Sequence, residues 1–254
     1  MNNFNINDYF TRNYNLGDKP SVSKFKLTFK QILLLLISVV LIFVFAPVGL
    51  ILTAIFGLVL IGLPMMKIAK EKKAAEEWQT NYNTRRNTWD AEFDKFFQEK
   101  LNKLNPQETG MNKVGVIEED FQAKPFYISG KKYDSFYRYG KDGVARTNHN
   151  EITWLFFTKD QVLIYTLNFK MTEDKKTENT QEFFYSDIVS VSTGTTSVEV
   201  QKGNAIDRND DSIEAEEFRL VVPGDKMCFA FTSNEAVSKS IQGMKNLIRT
   251  KKNG

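Results

Sequence analysis

Residues 31–66 read QILLLLISVVLIFVFAPVGLILTAIFGLVLIGLPMM and carry no charged side chain. As one straight helix, this run would reach about 54 Å, against about 30 Å for the hydrocarbon core of a bilayer. A soluble domain has no need of so long an uncharged stretch. The run therefore predicts an integral membrane protein.

A break in the middle of the run predicts two helices rather than one. Pro47 cannot donate a backbone hydrogen bond, and Gly49 tolerates turn geometry. We therefore expect a transmembrane helical hairpin over 31–66, turning at 46–49, with Pro47 and Gly49 as the turn residues. Each arm would be about 24 Å long, so residues beyond the run would complete each span.

Basic residues border the run on both sides, and cytoplasmic flanks are the ones enriched in Lys and Arg. Both termini are therefore expected in the cytoplasm, with the protein in the cell membrane, or the inner membrane in a bacterium. A single kinked span and a monotopic hairpin within one leaflet are the alternatives. The predicted membrane-flanking residues are Lys24, Lys26, Lys30, Lys67, Lys70, Lys72 and Lys73.

Residues 67–105 are predicted to form an amphipathic stalk helix that continues the second membrane arm. Asn105 precedes Pro106, which favours a helix end there. Aromatic side chains recur along the helix at steps of four and seven, so they share one face. This face would either pack on the following domain of the same chain or pair with another subunit. Its residues are Trp78, Tyr82, Trp89, Phe93 and Phe97.

Residues 1–30 are predicted to be a polar N-terminal tail, although they contain several aromatic side chains. One interpretation is a loosely ordered segment. The other is that aromatics such as Phe4, Tyr9, Phe10 and Tyr14 dock on the cytoplasmic domain or lie at the membrane surface.

Residues 110–254 switch to a period of two between turn signals, which predicts a β-rich domain. Two hairpins are expected, one turning at 140–143 and one at 159–161. Further strands are expected at 182–185, 188–193, 197–201, 218–222 and 227–231. A C-terminal helix is predicted over 234–251, capped by Ser233, with one apolar face.

About seven antiparallel strands followed by one amphipathic helix resemble a pleckstrin-homology-like (PH-like) domain. The likeness rests on 153–165, on Phe184-Tyr185-Ser186-Asp187-Ile188, on Phe218-Arg219-Leu220-Val221-Val222 and on Phe229-Ala230-Phe231. These segments are similar to bacterial PH-like domains attached to short membrane hairpins. The resemblance implies an antiparallel β-barrel or sandwich capped by the C-terminal helix, acting in binding and scaffolding rather than as an enzyme.

The chain departs from lipid-binding members of that wider fold. They place several basic residues in the first strand loop, where this chain has only Lys159 beside Asp160. Lys175 and Lys176 in the next loop could contact anionic lipid, but Glu173 and Asp174 adjoin them, so a solvated turn is the preferred interpretation.

Motifs for catalysis, metals and nucleic acid are missing from the sequence. His149 is the single histidine and lies in a polar turn, and Cys228 is alone in a predicted strand, so no catalytic residue is predicted. Residues 207–211 resemble a calcium loop, but Ser212 and Phe218 stand at the positions where that motif needs Gly and Glu. The net charge of +3 gives no electrostatic footprint for nucleic acid. We predict no metal, no cofactor and no small-molecule substrate.

Two functions fit these features. In the first, the hairpin anchors a PH-like interaction domain that binds a protein partner as a scaffold or as a subunit of a larger membrane assembly. In the second, hairpins of a homo-oligomer form a pore or transport element gated by the cytoplasmic domains. Small residues such as Gly57 and Gly62 would allow close helix packing, although no charge would line the pore.

Overall fold

The computed structural model describes residues 4–206, 211–231 and 235–253. The α-helices are α1 (Ile6–Tyr9), α2 (Phe29–Val44), α3 (Ala46–Gly57), α4 (Leu63–Leu104), α5 (Pro106–Val114) and α6 (Glu235–Asn253). A π-helical segment, Leu58–Gly62, joins α3 to α4. The strands are β1 (Ala123–Tyr139), β2 (Ala145–Phe157), β3 (Gln161–Lys170), β4 (Lys176–Phe184), β5 (Ser190–Glu199), β6 (Ser212–Val222) and β7 (Asp225–Phe231).

The chain divides into two compact units. The first comprises 1–12 and 86–254, and the second comprises 13–85. The second unit holds α2, α3 and the first part of α4, whereas the first unit holds every strand and the remaining helices. The α+β class with antiparallel sheets and a C-terminal helix, as expected from the sequence, is confirmed.

In the second unit, the break in the apolar run falls at Phe45, two residues before Pro47. Phe45 has non-helical backbone angles (φ −136°, ψ 74°), and Pro47 lies in the first turn of α3, where its missing N–H costs nothing. Helices α2 and α3 contact each other. A side chain at Gly49 would collide with the backbone of Ile42, so glycine allows this close approach.

By length and composition, the helical run Ala46–Val114 could cross a membrane, and Phe29–Val44 is a shorter apolar helix.

Capping fixes where α2 begins. The Gln31 side chain accepts a hydrogen bond from the Thr28 backbone N–H at 2.8 Å, which is the return half of a capping box.

Residues 14–23 run along the second unit's part of α4 instead of forming a loose tail. The Arg85 guanidinium donates to the Tyr14 carbonyl at 2.5 Å, and the Trp78 indole donates to the Gly17 carbonyl at 3.1 Å. Farther along, the Ser23 N–H donates to the Glu71 carboxylate at 2.8 Å. These contacts cover the part of the aromatic face that Trp78 and Tyr82 supply.

The first unit contains two antiparallel sheets, ordered β1-β2-β3-β4 and β5-β6-β7. Side chains between the sheets form the main core, to which α6 contributes Ile241, Met244 and Ile248. Strands β2 and β3 are buried on both faces. Their second face lies under α4 and α5, as shown by the stacked rings of Phe97 and Phe169, 6.0 Å apart.

Two polar contacts fix α4 and α5 on this face of the four-stranded sheet. Lys100 Nζ donates to the carbonyls of Lys170 and Glu173, both at 2.6 Å. On α5, the Lys113 ammonium pairs at 3.4 Å with the Glu178 carboxylate of β4, which also accepts a hydrogen bond from the Tyr165 hydroxyl at 3.1 Å. The four-stranded sheet is therefore the middle layer of three.

Two features of this unit differ from the sequence expectations. Helix α5 is not predicted by the sequence pattern, in which Pro106 favours only a helix end. In the structure, Asn105 has a left-handed backbone (φ 40°), and Pro106 starts a new helix. Strand β1 begins at Ala123, well before the expected hairpin arm. The expected cap Ser233 and residues 207–210 of the rejected calcium loop lie outside the described residues.

Candidate functional site

The first unit carries a groove of about 880 Å³ at the β1 edge of the four-stranded sheet. Its floor is the first half of β1, its walls are the 93–98 turn of α4 and the 237–247 stretch of α6, and β2 closes both ends. A largely apolar cavity of this size with a few convergent polar groups is the usual form of a ligand site.

The pairing of β1 with β2 separates the polar and apolar ends of the groove. Lys131 lies opposite Asn150 in the ladder, and Ala123 lies opposite Phe157. At about 3.3 Å per residue, the two ends are roughly 26 Å apart. Phe126 and Phe231 belong to the same end as Phe157, with Met244 and Leu247 of α6. Lys131 alternates with Tyr127 and Ser129 on the face of β1 towards α4, whereas Phe126 and Phe157 belong to the face that packs in the core between the sheets. The groove thus passes round the outer edge of β1, from a side with Lys131 towards α4 to a hydrocarbon-lined side towards α6.

A network of charges borders the polar end. The buried Arg146 guanidinium binds the Asp94 carboxylate through Nε and Nη2, at 2.9 and 2.7 Å, and it binds Asp142 at 2.9 and 3.0 Å. The hydrogen bond to Arg146 lowers the pKa of Asp142 to about 2. Burial disfavours the arginine's charge, but the two carboxylates raise its pKa overall. Arg146 is therefore fully engaged and tethers α4 to the β1–β2 turn.

Lys131 lines the same end of the groove in a different state. Within the described part of the chain, its ammonium makes no hydrogen bond or ion pair, whereas the adjacent Lys132 binds Glu151 at 2.8 Å. Burial, and next the positive charge of Arg146, lower the pKa of Lys131. Asp94 and Asp142 lie near enough to favour its charge, but they do not bond to it directly. Lys131 is therefore a half-buried cation whose hydrogen-bond donors a ligand could satisfy.

The N-terminal segment, residues 4–12, packs beside this network. Tyr9 is fully buried, and its hydroxyl donates to Asp90 of α4 at 2.9 Å. The Arg138 guanidinium, 1% exposed, donates to the carbonyls of Tyr9 and Thr11 at 2.7 and 2.6 Å. The segment therefore belongs to the fold of the first unit, which matches the docking alternative for its aromatic residues.

Two of the residues singled out from the sequence, Phe93 and Phe97, line the groove. Trp89, Phe93 and Phe97 face the first unit's own chain: Phe93 packs on Tyr9, with ring centroids 4.8 Å apart, and Phe93 and Phe97 also line the groove. Trp78 and Tyr82 stack on each other within the second unit. The seven flanking residues Lys24, Lys26, Lys30, Lys67, Lys70, Lys72 and Lys73 are all solvent-exposed.

His149 and Cys228 do not line the groove. His149 Nδ1 lies 2.8 Å from Asp134, on the β1–β2 ladder. Cys228 lies on β7 opposite Arg219 and is partly exposed. Among the described residues, no cluster of three or more His, Cys, Asp or Glu side chains could hold a metal ion.

Lys131 was missed because the sequence around it, Ser129-Gly130-Lys131-Lys132, looks like a loop. A signal was present, since alternation places Tyr127, Ser129 and Lys131 on one face of a strand.

Compared with protein-family models, curated proteins and solved structures, the chain gives no match.

Proposed function

We propose that this chain is an integral membrane protein whose helical hairpin anchors a cytoplasmic PH-like interaction domain, as a scaffold or a subunit of a larger membrane assembly. The observation that carries the proposal is the exposure of the apolar helices. Only 6% of the most apolar window of the helical run 46–114 is buried, and Phe29 and Phe43 are 79% and 87% exposed. In water such a surface is unfavourable, whereas lipid would cover it.

Two further features support the hairpin. Gly49 lets α3 approach Ile42 of α2 closely, as expected of helices that return across a bilayer together. Exposed lysines stand on both flanks of the apolar run, where their charges would reach lipid headgroups on the same side.

The PH-like assignment rests on the order of elements. Four antiparallel strands are followed by three more and by a terminal helix, and Ile241, Met244 and Ile248 of that helix complete the core between the sheets. In such a domain the helix closes a barrel end. Because the resemblance implies binding modules, recruitment of a partner is the function we assign to it.

Exchange of the anchor tests this function. The apolar run would be replaced by an unrelated two-span anchor, and partners that copurify with each protein in mild detergent would be compared. Recruitment that survives the exchange supports an anchored interaction domain. Loss of the partners from a correctly inserted chimera would contradict it.

The native protein and the chimera also distinguish the anchor function from the alternative, an oligomeric pore or transport element. The native chain would be reconstituted in liposomes at high protein density and ion release measured. The anchor proposal expects tight vesicles. Ion flux that disappears in the chimera would instead establish the pore.

A further inference from the structure

The shape of the groove restricts what could occupy it. From Lys131 to Ala123 the groove follows the outer strand β1 for about 26 Å, beginning on the face towards α4 and ending on the face towards α6. At the far end, Phe157, Phe231, Met244 and Leu247 supply hydrocarbon surface. A ligand that matched this surface would be long and apolar over most of its length.

The charges restrict the other end of that ligand. The hydrogen-bond donors of Arg146 already bind Asp94 and Asp142, so few of them remain for a ligand. Lys131 has no partner among the described residues, and its charge is disfavoured by burial. Asp94 and Asp142 act on Lys131 only from beyond ion-pair distance, so an anionic group would supply the direct, charge-assisted hydrogen bonds that Lys131 lacks.

An added peptide strand fits the groove less well than a single hydrocarbon chain. A strand would need the free backbone edge of β1, but β7 lies along β1. Near its end, β1 is already bonded, since Tyr137 N donates to Asn204 O at 2.9 Å and Ile206 N donates to Tyr137 O at 3.0 Å. These bonds lie beyond the part of β1 that lines the groove, which is the outer strand of its sheet. A peptide strand added along that edge would still leave the hydrocarbon surface of Phe157, Met244 and Leu247 uncovered.

We propose that the groove binds a single-chain amphipathic anion, with its carboxylate or phosphate head at Lys131 and its hydrocarbon tail passing round the edge of β1 towards α6. The proposal is independent of the anchoring function, because it rests on the first unit alone. A long-chain fatty acid and a lysophospholipid with a phosphate monoester head share this chemistry.

Photolabelling of the full-length protein in lipid nanodiscs tests the site. Three probes would carry the same tail with a diazirine near its end: a palmitate, a lysophosphatidate and a neutral palmitamide. Labelled residues would be mapped by mass spectrometry. We expect the anionic probes to label the Phe157, Met244 and Leu247 end of the groove, at least fivefold more than the amide does. Whichever anionic probe labels more strongly identifies the preferred head.

Two variants with matched controls address the two ends. Lys131→Met should reduce groove labelling at least fivefold, whereas Lys124→Met, which removes an exposed groove charge near the apolar end, should change it less than twofold. Gly243→Phe should block the tail, and Gly243→Ala should not. A Cβ at Gly243 meets nothing within 4 Å, so Gly243→Ala is not expected to disturb α6, and the melting curve of Gly243→Phe shows whether that variant keeps the fold.

The outcomes separate clearly. Labelling confined to residues 29–66, equal labelling by the neutral amide, or full labelling of the Lys131→Met protein would each overturn the proposal. Melting curves of the variants, recorded in the same nanodiscs, show whether lost labelling reflects a lost site or a lost fold. If Lys131→Met melts early, Gly243→Phe decides the matter, and unchanged labelling of that variant overturns the proposal.

Discussion

At the scale of single residues, two helical glycines should respond to alanine with opposite signs. A Cβ at Gly110 of α5 would lie 2.8 Å from Cδ1 and 3.1 Å from Cβ of the buried Tyr165, whereas one at Gly243 of α6 would meet nothing within 4 Å. Alanine normally stabilises a helix interior by up to about 1 kcal/mol relative to glycine. Gly110→Ala should instead destabilise the fold by about 1–3 kcal/mol through overpacking.

Thermal unfolding in mild detergent, followed by near-ultraviolet circular dichroism, measures the difference. The midpoint should fall by about 2–4 °C per kcal/mol for Gly110→Ala and rise slightly for Gly243→Ala. Equal stabilisation by both substitutions would show that α5 does not pack on Tyr165 as described. The pair shares one chemical change, so it isolates packing from helix propensity.

The same scale explains why the candidate site escaped prediction. Lys131 and Arg146 look alike in the sequence, as cations in polar surroundings. Asp94, which is 52 positions from Arg146 in the chain, bonds directly to Arg146, whereas it acts on Lys131 only from beyond ion-pair distance. Sequence periodicity predicts which face of a strand or helix a residue lies on, but it does not predict which charged residue from a distant part of the chain will contact it.

At the scale of elements, the N-terminal segment is expected to depend on Arg138. Its guanidinium donates to two carbonyls of the segment and lies 5.6 Å from the centre of the Tyr9 ring. Arg138→Met would leave those carbonyls without their donor, at about 1–3 kcal/mol each when buried. We expect residues 4–12 to lose protection in hydrogen exchange while the strands keep theirs.

Arg138→Lys is the matched control for that experiment. Lysine keeps the positive charge but not the planar fork that reaches two acceptors, so protection should be intermediate. If Arg138→Met left residues 4–12 as protected as in the native protein, the aromatic contacts of Tyr9 and Phe10 would be sufficient to hold the segment.

Elements were predictable where their signal was local. The hairpin that turns near 159–161 has apolar runs on both sides, and both arms appear as β2 and β3. Strand β1 has Lys124, Pro125 and Gly130 within it, and its buried Ile128 depends on the second sheet and α6 arriving from elsewhere in the chain. Helix α5 follows a proline that ends one helix and begins the next. Non-local packing, rather than propensity, decides both elements.

At the scale of the whole molecule, the apolar run and the charges beside it lead to one topological prediction. If α2 and α3 form a hairpin, residues before α2 and residues in the β domain lie on the same side of the membrane. Single cysteines at Asp18 and Lys175, both exposed, would be placed in a Cys228→Ser background. A membrane-impermeant maleimide should label both cysteines from the cytoplasmic side, because a hairpin crosses the bilayer twice between them.

A third cysteine, at Phe45 between α2 and α3, completes the experiment. Phe45 is 61% exposed at the break in the apolar run, so a spanning hairpin would present it to the opposite side. Labelling of Asp18→Cys and Lys175→Cys from opposite sides would mean a single span, and a Phe45→Cys protein inaccessible from both sides would indicate a hairpin held within one leaflet. Each arm is about 24 Å long, so the turn of a spanning hairpin would lie at the bilayer surface and not beyond it. The maleimide should therefore label Phe45→Cys more slowly than Lys175→Cys.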